Sequence, residues 1–289
     1  MKKKEKGEKK MKKTLTVILA VLLSLTLAAC GGNGGKKDEK VIKVGATLVP
    51  HAEILKNVVA DKLAKDGWTL EVVEFNDYVT PNTALEEGEL DANYFQTLGY
   101  MKDQNENGGL HLTAVAGVHI EPMGIYSKKY TSLDQIPDGA TIGVPNDTDN
   151  CNRALDLLAA WYLITGTGTP EELNSDPVKN PHGYKITLIE AAGLPRSLDD
   201  LDAAVINGNY ALEAGLPETS PAVQIEVFNA ETSVRRTNYI VVKQGSENSE
   251  KIQALVKAIN SKEVEDYINN TYKGAVIPSF VDAEGKPLN

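Results

Sequence analysis

The sequence predicts an α/β protein, and three observations carry that prediction. Short apolar runs of strand length alternate with longer segments in which apolar residues recur at helical spacing. Strand–helix alternation of this kind is typical of a parallel sheet connected by helical crossovers. The chain has 289 residues, 42% of them hydrophobic, which is enough for two domains of ordinary size.

Turn residues set the limits of most predicted elements. The predicted strands are residues 41–47, 70–75, 90–95, 140–144, 185–189, 203–206, 225–228 and 239–243. The predicted helices are residues 52–65, 80–88, 97–105, 132–136, 152–164, 197–201, 210–214, 249–260 and 262–272. Gly67 ends the first helix, and Pro81 suits the first turn of the second.

Glu121-Pro122 interrupts the apolar stretch 112–127, which predicts a bend or an edge where the chain enters the next domain. Residues 165–183, rich in Gly, Pro, Asn and Asp, predict an exposed excursion.

Charge is distributed unevenly along the chain. Residues 1–30 hold eight lysines and two glutamates, so the remainder carries 22 basic and 38 acidic residues, a net charge of −16. A body this acidic repels nucleic acid, so we expect no nucleic-acid partner.

The N-terminal segment resembles the signal of a bacterial lipoprotein. A lysine-rich stretch precedes the apolar residues 15–27, which are too few to span a membrane comfortably as a mature helix. Leu27-Ala28-Ala29-Cys30 then matches a lipobox, in which the signal is cut before a cysteine that becomes lipidated. We therefore expect a signal peptide at 1–30, a lipid on Cys30 and a flexible tether at 31–40; the alternative is a plain signal peptide.

Polar and aromatic residues gather after the predicted strands, where ligands bind in open α/β sheets. Arg153 follows the turn after the strand 140–144, near the start of a predicted helix, where an arginine and a helix N-terminus both favour an anion. An N-capped helix with a solvated arginine is the alternative. Asn207 and Asn238 offer amide groups to a small zwitterion, although Asn207-Gly208 is also a common turn signal.

An aromatic wall is the third part of this predicted site. Tyr78, Phe95 and Tyr100 follow the second and third strands and could surround an apolar ligand side chain. Ordinary core packing of these aromatic residues is the alternative.

Enzyme signatures are weak in this sequence. The four histidines show no metal-ligand spacing, and no nucleophile elbow, Walker loop or dinucleotide fingerprint is present, so we expect no metal and no cofactor. Cys151, near a helix start, could be an activated thiol, but an incidental pocket or structural cysteine is the simpler interpretation. His119-x-Glu121 indicates a hydrogen-bonded pair near the domain boundary.

Five segments resemble the methionine-binding lipoproteins of the NlpA/MetQ type, the substrate-binding proteins of ABC importers. The segments are VGATLVPHAEIL, VEFNDYVTPNTALEEGELDANYFQ, VHIEPMGIYSKKY, SLDDLDAAVINGNYALEAGL and YKGAVIP. The resemblance implies a two-lobe fold of the periplasmic-binding-protein type II, with the ligand cleft between the lobes. It divides the chain into lobe I, residues 41–116 with 239–289, and lobe II, residues 117–238.

Residue by residue, the resemblance implies a binding site for L-methionine or a related amino acid. Arg153 holds the ligand carboxylate, Asn207 and Asn238 bind its polar groups, and the aromatic wall lines its side chain. Thr97 replaces a histidine of the family near the ligand side chain. The implied partners are an ABC permease and its ATPase, with a monomer anchored through Cys30 on the extracytoplasmic face of the cell membrane.

Two further departures from the family accompany Thr97. Cys151 and Asn152 replace two glycines before the arginine, and residues 233–238 read SVRRTN in place of a family motif that contains SPYAN. We expect all three departures to lie at the pocket, where they could select another amino acid or a methionine-containing dipeptide. An exported enzyme using Cys151 and a surface adhesin with a vestigial pocket are the remaining hypotheses.

Overall fold

The computed structural model describes residues 40–288. The predicted signal peptide, Cys30 and the tether up to residue 39 lie outside the described residues. Within residues 40–288, no helix combines the length and the apolar character that a membrane crossing requires.

The strands of the described residues form two sheets. They are β1 (Val41–Thr47), β2 (Thr69–Phe75), β3 (Ala92–Thr97), β4 (Leu112–Ile120), β5 (Gly124–Tyr126), β6 (Thr141–Pro145), β7 (Lys185–Ile189), β8 (Ala203–Ile206), β9 (Gln224–Ile225), β10 (Thr237–Lys243) and β11 (Ile277–Pro278). The first sheet has the order β11-β4-β10-β3-β1-β2, and the second has the order β7-β6-β8-β5-β9.

Both sheets are mixed, which corrects the expectation of purely parallel strands. In the first sheet β1 runs parallel to β2 and β3, with Val44 opposite Val72 and Ala92. In the second, β6 runs parallel to β7 and β8. By contrast, β10 is antiparallel to β3 and β4, and β5 is antiparallel to β8 and β9. β5 and β10 each follow a passage of the chain from one sheet to the other, and β11 is also antiparallel to β4. The local strand–helix pattern cannot reveal these pairings.

The helices cover the faces of the two sheets. The chain first makes helical turns α1 (Leu48–Ala52, Leu55–Val59 and Ala60–Lys65), followed by α2 (Thr80–Glu86), α3 (Leu98–Gly108), α4 (Thr148–Ala160), α5 (Pro170–Ser175), α6 (Leu194–Ser197), α7 (Gly208–Glu213), α8 (Leu216–Thr219), α9 (Ala230–Arg236), α10 (Glu250–Ile259) and α11 (Lys262–Tyr272). Short 3₁₀ turns occupy Leu133–Gln135 and Ala191–Gly193.

Each sheet has its own apolar core. Ile42 and Val44 of β1 pack with Leu55 of α1 and with Ile252 and Ile268 of the last two long helices, so the C-terminal part of the chain completes the first core. Val144, Leu155 and Leu158 belong to a separate core under the second sheet. The chain leaves the first sheet after Ile120 and enters the second at Gly124. It leaves the second after Ile225 and returns at Thr237. The lobe boundaries given by the resemblance stay a prediction.

One local expectation is wrong, and two helices were not predicted. The helix that carries Arg153 begins at Thr148 and not at Asn152, because the Asp147 side chain caps it by accepting from the Asn150 backbone N–H at 2.9 Å. The excursion 165–183 contains α5, which Thr169 and Glu172 cap reciprocally. Helix α9 was not expected; it has a capping box in which a threonine takes the place usually held by Glu or Gln.

Candidate functional site

A narrow cavity lies between the ends of the two sheets. It holds about 320 Å³ of space between atoms, part of it open to solvent, and most of this space is too narrow for a water molecule. The lining residues are Tyr78, Phe95, Gln96, Thr97, Tyr100, Glu121, Asn150, Arg153, Asn207, Gly208, Asn209 and Asn238. Since so little free space remains, a small molecule can enter only if the two sides separate.

All seven ligand-binding residues predicted from the sequence line this cavity. Sequence reasoning missed Gln96, Glu121, Asn150, Gly208 and Asn209. Gln96 and Asn209 are close in sequence to the predicted site residues Phe95 and Asn207. That proximity could have indicated that they belong to the site. Glu121 was expected only as a partner of His119, and its position in the cavity depends on the bend at Pro122.

Arg153 is held by acidic and carbonyl groups on one edge of its guanidinium. It lies in the second turn of α4 and is 3% exposed. Its Nε donates to both carboxylate oxygens of Glu226 at 3.1 and 3.0 Å, and its Nη2 donates to the Glu121 backbone oxygen at 2.8 Å. Within residues 40–288, Nη1 has no hydrogen-bond partner. Arg153 therefore lines the cavity with one guanidinium nitrogen that no described protein group occupies.

Two asparagines of the INGN segment leave polar atoms unpaired inside the cavity. Asn207 donates through Nδ2 to Asn150 Oδ1 at 2.8 Å, while its buried Oδ1 has no partner among the described residues. Asn209 Oδ1 accepts from the Tyr78 hydroxyl at 2.6 Å, and its buried Nδ2 has no partner within residues 40–288. Leaving such groups unpaired costs about 1–3 kcal/mol each, so they are suited to a polar ligand. One free acceptor and one free donor match an ammonium and a carboxylate.

The aromatic wall presents ring surface rather than hydroxyl groups. Tyr78 stacks on Tyr210 with ring centroids 4.9 Å apart and lies 5.8 Å from Phe95 and from Tyr100. The Tyr100 hydroxyl donates to the Tyr78 backbone oxygen at 3.1 Å. Because Asn209 and Tyr78 take these hydroxyl protons, the wall favours an apolar ligand group.

Thr97 is the only one of the three family departures that lines the cavity. Its hydroxyl caps α3 by accepting from the Tyr100 backbone N–H at 3.2 Å. Cys151 and Asn152 line a cleft outside it, and Arg235 and Arg236 pair with Asp149 at 2.7 and 3.1 Å. None of these four residues lines the cavity, so the expectation that they lie at the pocket is wrong. The helical period of α4 turns Asn150 and Arg153 to the cavity instead of Cys151 and Asn152, and the two arginines are engaged by Asp149.

A buried cluster of His51, His119 and Glu121 adjoins the cavity at the passage between the sheets. His119 Nε2 lies 2.6 Å from Glu121 Oε1, so the predicted hydrogen bond between these residues is confirmed. His51 Nε2 lies 3.3 Å from the same oxygen and 3.1 Å from Asn238 Oδ1. Burial lowers the pKa of His51 to about 4 and that of His119 to about 3, and it raises the pKa of the Glu121 carboxyl.

This cluster is also where described residues could hold a metal ion. The three ligand atoms lie within 4.8 Å of one another. These atoms already face protein partners, however: His51 Nε2 lies 3.1 Å from Asn238 Oδ1, and the opposite Nδ1 atoms of the two histidines contact Thr47 Oγ1 at 2.8 Å and the Tyr94 hydroxyl. A distance of 2.6 Å between two candidate ligand atoms is that of a direct hydrogen bond. The arrangement is therefore a complete hydrogen-bond network.

Cys151 has the opposite environment to an activated thiol. It packs in the core under the second sheet, and burial, followed by the charge of Asp147, raises the pKa of its thiol to about 11. A raised pKa lowers the thiolate fraction near neutral pH. The observation favours the structural interpretation of this cysteine.

Comparisons with known proteins agree over almost the whole described chain. The family model described as NlpA lipoprotein matches residues 42–280. The methionine-binding lipoprotein MetQ of Bacillus subtilis is 38% identical over 276 residues, which cover 93% of this chain and 99% of the relative.

Two solved structures show the same fold. A nutrient-binding protein from Burkholderia cenocepacia bound to methionine has a TM-score of 0.75 and 38% identity, and the alignment covers 83% of this chain and 100% of that one. An ABC transporter periplasmic substrate-binding protein from Coxiella burnetii has a TM-score of 0.73 and 36% identity, with 82% and 99% covered. The predicted α/β fold of the periplasmic-binding-protein type is confirmed.

Proposed function

The chain belongs to the NlpA lipoprotein family, and on that premise we propose that it is a substrate-binding lipoprotein that captures L-methionine or a closely related amino acid for an ABC importer. The B. subtilis relative is named as methionine-binding, and the B. cenocepacia structure contains methionine. The relatives described as binding proteins support a receptor rather than an enzyme.

The observation that carries this proposal is the set of free polar atoms around one narrow cavity. The ligand carboxylate would accept from the free edge of Arg153 and from Asn209 Nδ2. The ligand ammonium would donate to Asn207 Oδ1 and to the Glu121 carboxylate, which balances its charge. The side chain would lie against the rings of Tyr78 and Tyr100, a surface suited to a thioether or an aliphatic chain.

Asn238, Phe95 and Thr97 complete the proposed site. Asn238 Oδ1 lies 3.1 Å from His51 Nε2, so the Asn238 amide is oriented with its Nδ2 available to the ligand. Phe95 closes the aromatic wall beside Tyr100, with ring centroids 6.1 Å apart. Thr97 is the residue that would shift the ligand preference away from methionine, because its side chain is shorter than the histidine of the family and leaves more room for the ligand. A single amino acid fits the narrow cavity better than a dipeptide.

Anchoring and delivery form the second part of the proposal. Lipidation of Cys30 would hold the protein on the extracytoplasmic face of the membrane, with residues 31–40 as a tether. We propose that the two sheets belong to two lobes, residues 41–116 with 239–289 and residues 117–238, which close on the ligand and then open at the permease. The monomeric state and the permease and ATPase partners belong to the same proposal.

A thermal-shift screen tests the proposed function. The twenty amino acids, D-methionine and methionine-containing dipeptides are added to the full-length protein, and the unfolding temperature is recorded. At a concentration of 100 Kd a ligand stabilises the folded state by about 2.7 kcal/mol. We expect L-methionine or a similar apolar amino acid to raise the unfolding temperature most. A screen in which no amino acid or dipeptide stabilises the protein would refute the proposal.

A further inference from the structure

We propose that His51 and His119 are positioning residues for the ligand's main-chain groups. They act only as neutral imidazoles with the proton on Nε2. Mild acid therefore releases the ligand. The inference rests on the proposed function and deepens it. Both histidines are fully buried, and neither lines the cavity.

The hydrogen-bond partners fix the protonation of both rings. When Glu121 is ionised, Nε2 of His119 faces only an acceptor, Glu121 Oε1, so this nitrogen carries the proton. Nε2 of His51 then faces two acceptors, the ionised Glu121 Oε1 and, in the amide orientation of this structure, Asn238 Oδ1, and it carries a proton as well.

Hydroxyl groups occupy the opposite nitrogens. Thr47 Oγ1 lies beside His51 Nδ1 and the Tyr94 hydroxyl lies beside His119 Nδ1, each positioned to donate. Burial raises the pKa of Tyr94 well above its usual value, so this phenol stays a donor. A second proton on either imidazole would remove the acceptor that the hydroxyl group needs.

Each histidine thereby orients one group that faces the cavity. The N–H of His51 holds Asn238 Oδ1, which leaves the two Nδ2 protons of Asn238 for a carboxylate or carbonyl of the ligand. His119 donates to Glu121 Oε1, His51 Nε2 lies 3.3 Å from the same oxygen, and the Asn209 backbone N–H also supports this carboxylate. In the proposed site, the ligand ammonium lies against the second oxygen of this carboxylate. The histidines define which atoms of Asn238 and Glu121 the ligand meets.

The cluster lies where the two sides of the cavity meet. His51 belongs to the first turns of α1, which pack against α7 of the second sheet. His119 lies on β4, next to the passage into the second sheet. Burial of the cluster therefore depends on the two sides being together, and separation would let water reach His51.

The charges around the cluster oppose protonation when the cavity is closed. The titratable groups facing His51 are His119, Glu121 and Tyr94, and Arg153 lies on the far side of Glu121. Glu121 favours a charged imidazole, but burial outweighs it, and His51 has a pKa of about 4. The closed form consequently binds fewer protons than an open form in which His51 is hydrated.

The direction of the pH effect follows from this difference. Since the open form binds more protons, ligand binding releases protons, and affinity falls as the pH drops below the ordinary histidine pKa of about 6.5. If His51 alone recovers that value on opening, the affinity at pH 5 is about 30-fold lower than at pH 7.5. L-Methionine changes neither of its charges in this interval.

Calorimetric titration of L-methionine into the full-length protein at pH 7.5 and pH 5 tests the inference. The variant is His51→Gln combined with His119→Gln, because glutamine keeps an N–H donor near the Nε2 position but does not titrate. The matched control is His111→Gln combined with His182→Gln, at the two histidines outside the cluster. We expect the wild type and the control to lose about 30-fold in affinity at pH 5. We expect the cluster variant to bind more weakly than the wild type at pH 7.5, because glutamine replaces the imidazole donors only in part, and to lose the pH dependence.

Distinct outcomes separate the inference from the proposed function. If the cluster variant keeps the wild-type pH profile, another group such as Glu121 titrates, and the positioning role is overturned. If the wild type binds no amino acid at pH 7.5, the proposed function fails instead.

Nitrogen-15 spectra of the four histidines, recorded on the wild-type protein saturated with L-methionine so that the cavity is closed, read the tautomers without any substitution. The expected signals are two Nε2-protonated neutral rings that persist at pH 6. A cationic ring or an Nδ1-protonated ring at either buried position would overturn the inference.

Discussion

Replacing Arg153 by alanine removes the strongest electrostatic contact expected for an amino-acid carboxylate. In the structure the guanidinium is 3% exposed, and its Nε and Nη2 donate to Glu226 and to the Glu121 backbone oxygen. The variant would leave the Glu226 carboxylate and the ligand carboxylate without their shared partner. Truncating one partner of a buried, hydrogen-bonded charge pair between protein and ligand costs about 2–5 kcal/mol of binding free energy. That cost corresponds to L-methionine binding weakened by about 30- to 5,000-fold.

Isothermal titration calorimetry measures this loss, with Arg196→Ala as the control. Arg196 lies on α6 and is exposed, so its removal changes the net charge equally without touching the cavity. Arg153→Lys separates charge from geometry, because an ammonium keeps the charge but cannot make the planar fork. We expect it to bind more weakly than the wild type and more tightly than the alanine variant. An alanine variant that is folded and binds with wild-type affinity would refute the carboxylate role.

Three further predictions follow from single contacts. Glu121→Gln removes the charge beside the ligand ammonium and should weaken binding by about 1.5–3 kcal/mol, whereas equal binding in calorimetry would exclude this contact. Gly99→Ala places a methyl group 2.7 Å from Asp149 Oδ1 and should lower the free energy of unfolding by about 1–3 kcal/mol in denaturant titrations. Its control on the same helix, Gly108→Ala, meets nothing closer than 3.7 Å, and equal destabilisation of both would contradict the reasoning. Cys151→Ser should bind L-methionine unchanged, and loss of binding in the folded variant would reopen a role for the thiol.

The sequence predicted the strands and helices whose apolar periodicity and turn residues are clear. Residues 41–47, 185–189, 203–206 and 262–272 are found with the predicted bounds, because apolar periodicity and flanking turn residues agree there. Helix α9 was missed because its polar sequence lacks an apolar face and its capping box is unusual. The antiparallel pairing of β10 was missed because it joins segments more than a hundred residues apart.

In the candidate site too, residues with a local sequence signal were predicted, and residues that depend on distant contacts were not. Tyr78, Arg153 and Asn207 were found because aromatic, basic and amide residues follow predicted strands, and Asn238 because it is an amide residue that precedes one. The family resemblance added Thr97. Glu226 could not be found, since its contact with Arg153 spans 73 residues and neither neighbour in the chain lines the cavity. Asn209 offers its Nδ2 to a ligand only because the Tyr78 hydroxyl occupies its Oδ1. Only three-dimensional contacts contain that information.

A crystal structure of the protein with L-methionine at saturating concentration tests the central claim most directly. We predict density for one amino acid in the cavity, with its carboxylate on Arg153, its ammonium between Glu121 and Asn207, and its side chain against Tyr78. An empty cavity, or a ligand with its carboxylate directed away from Arg153, would contradict this account.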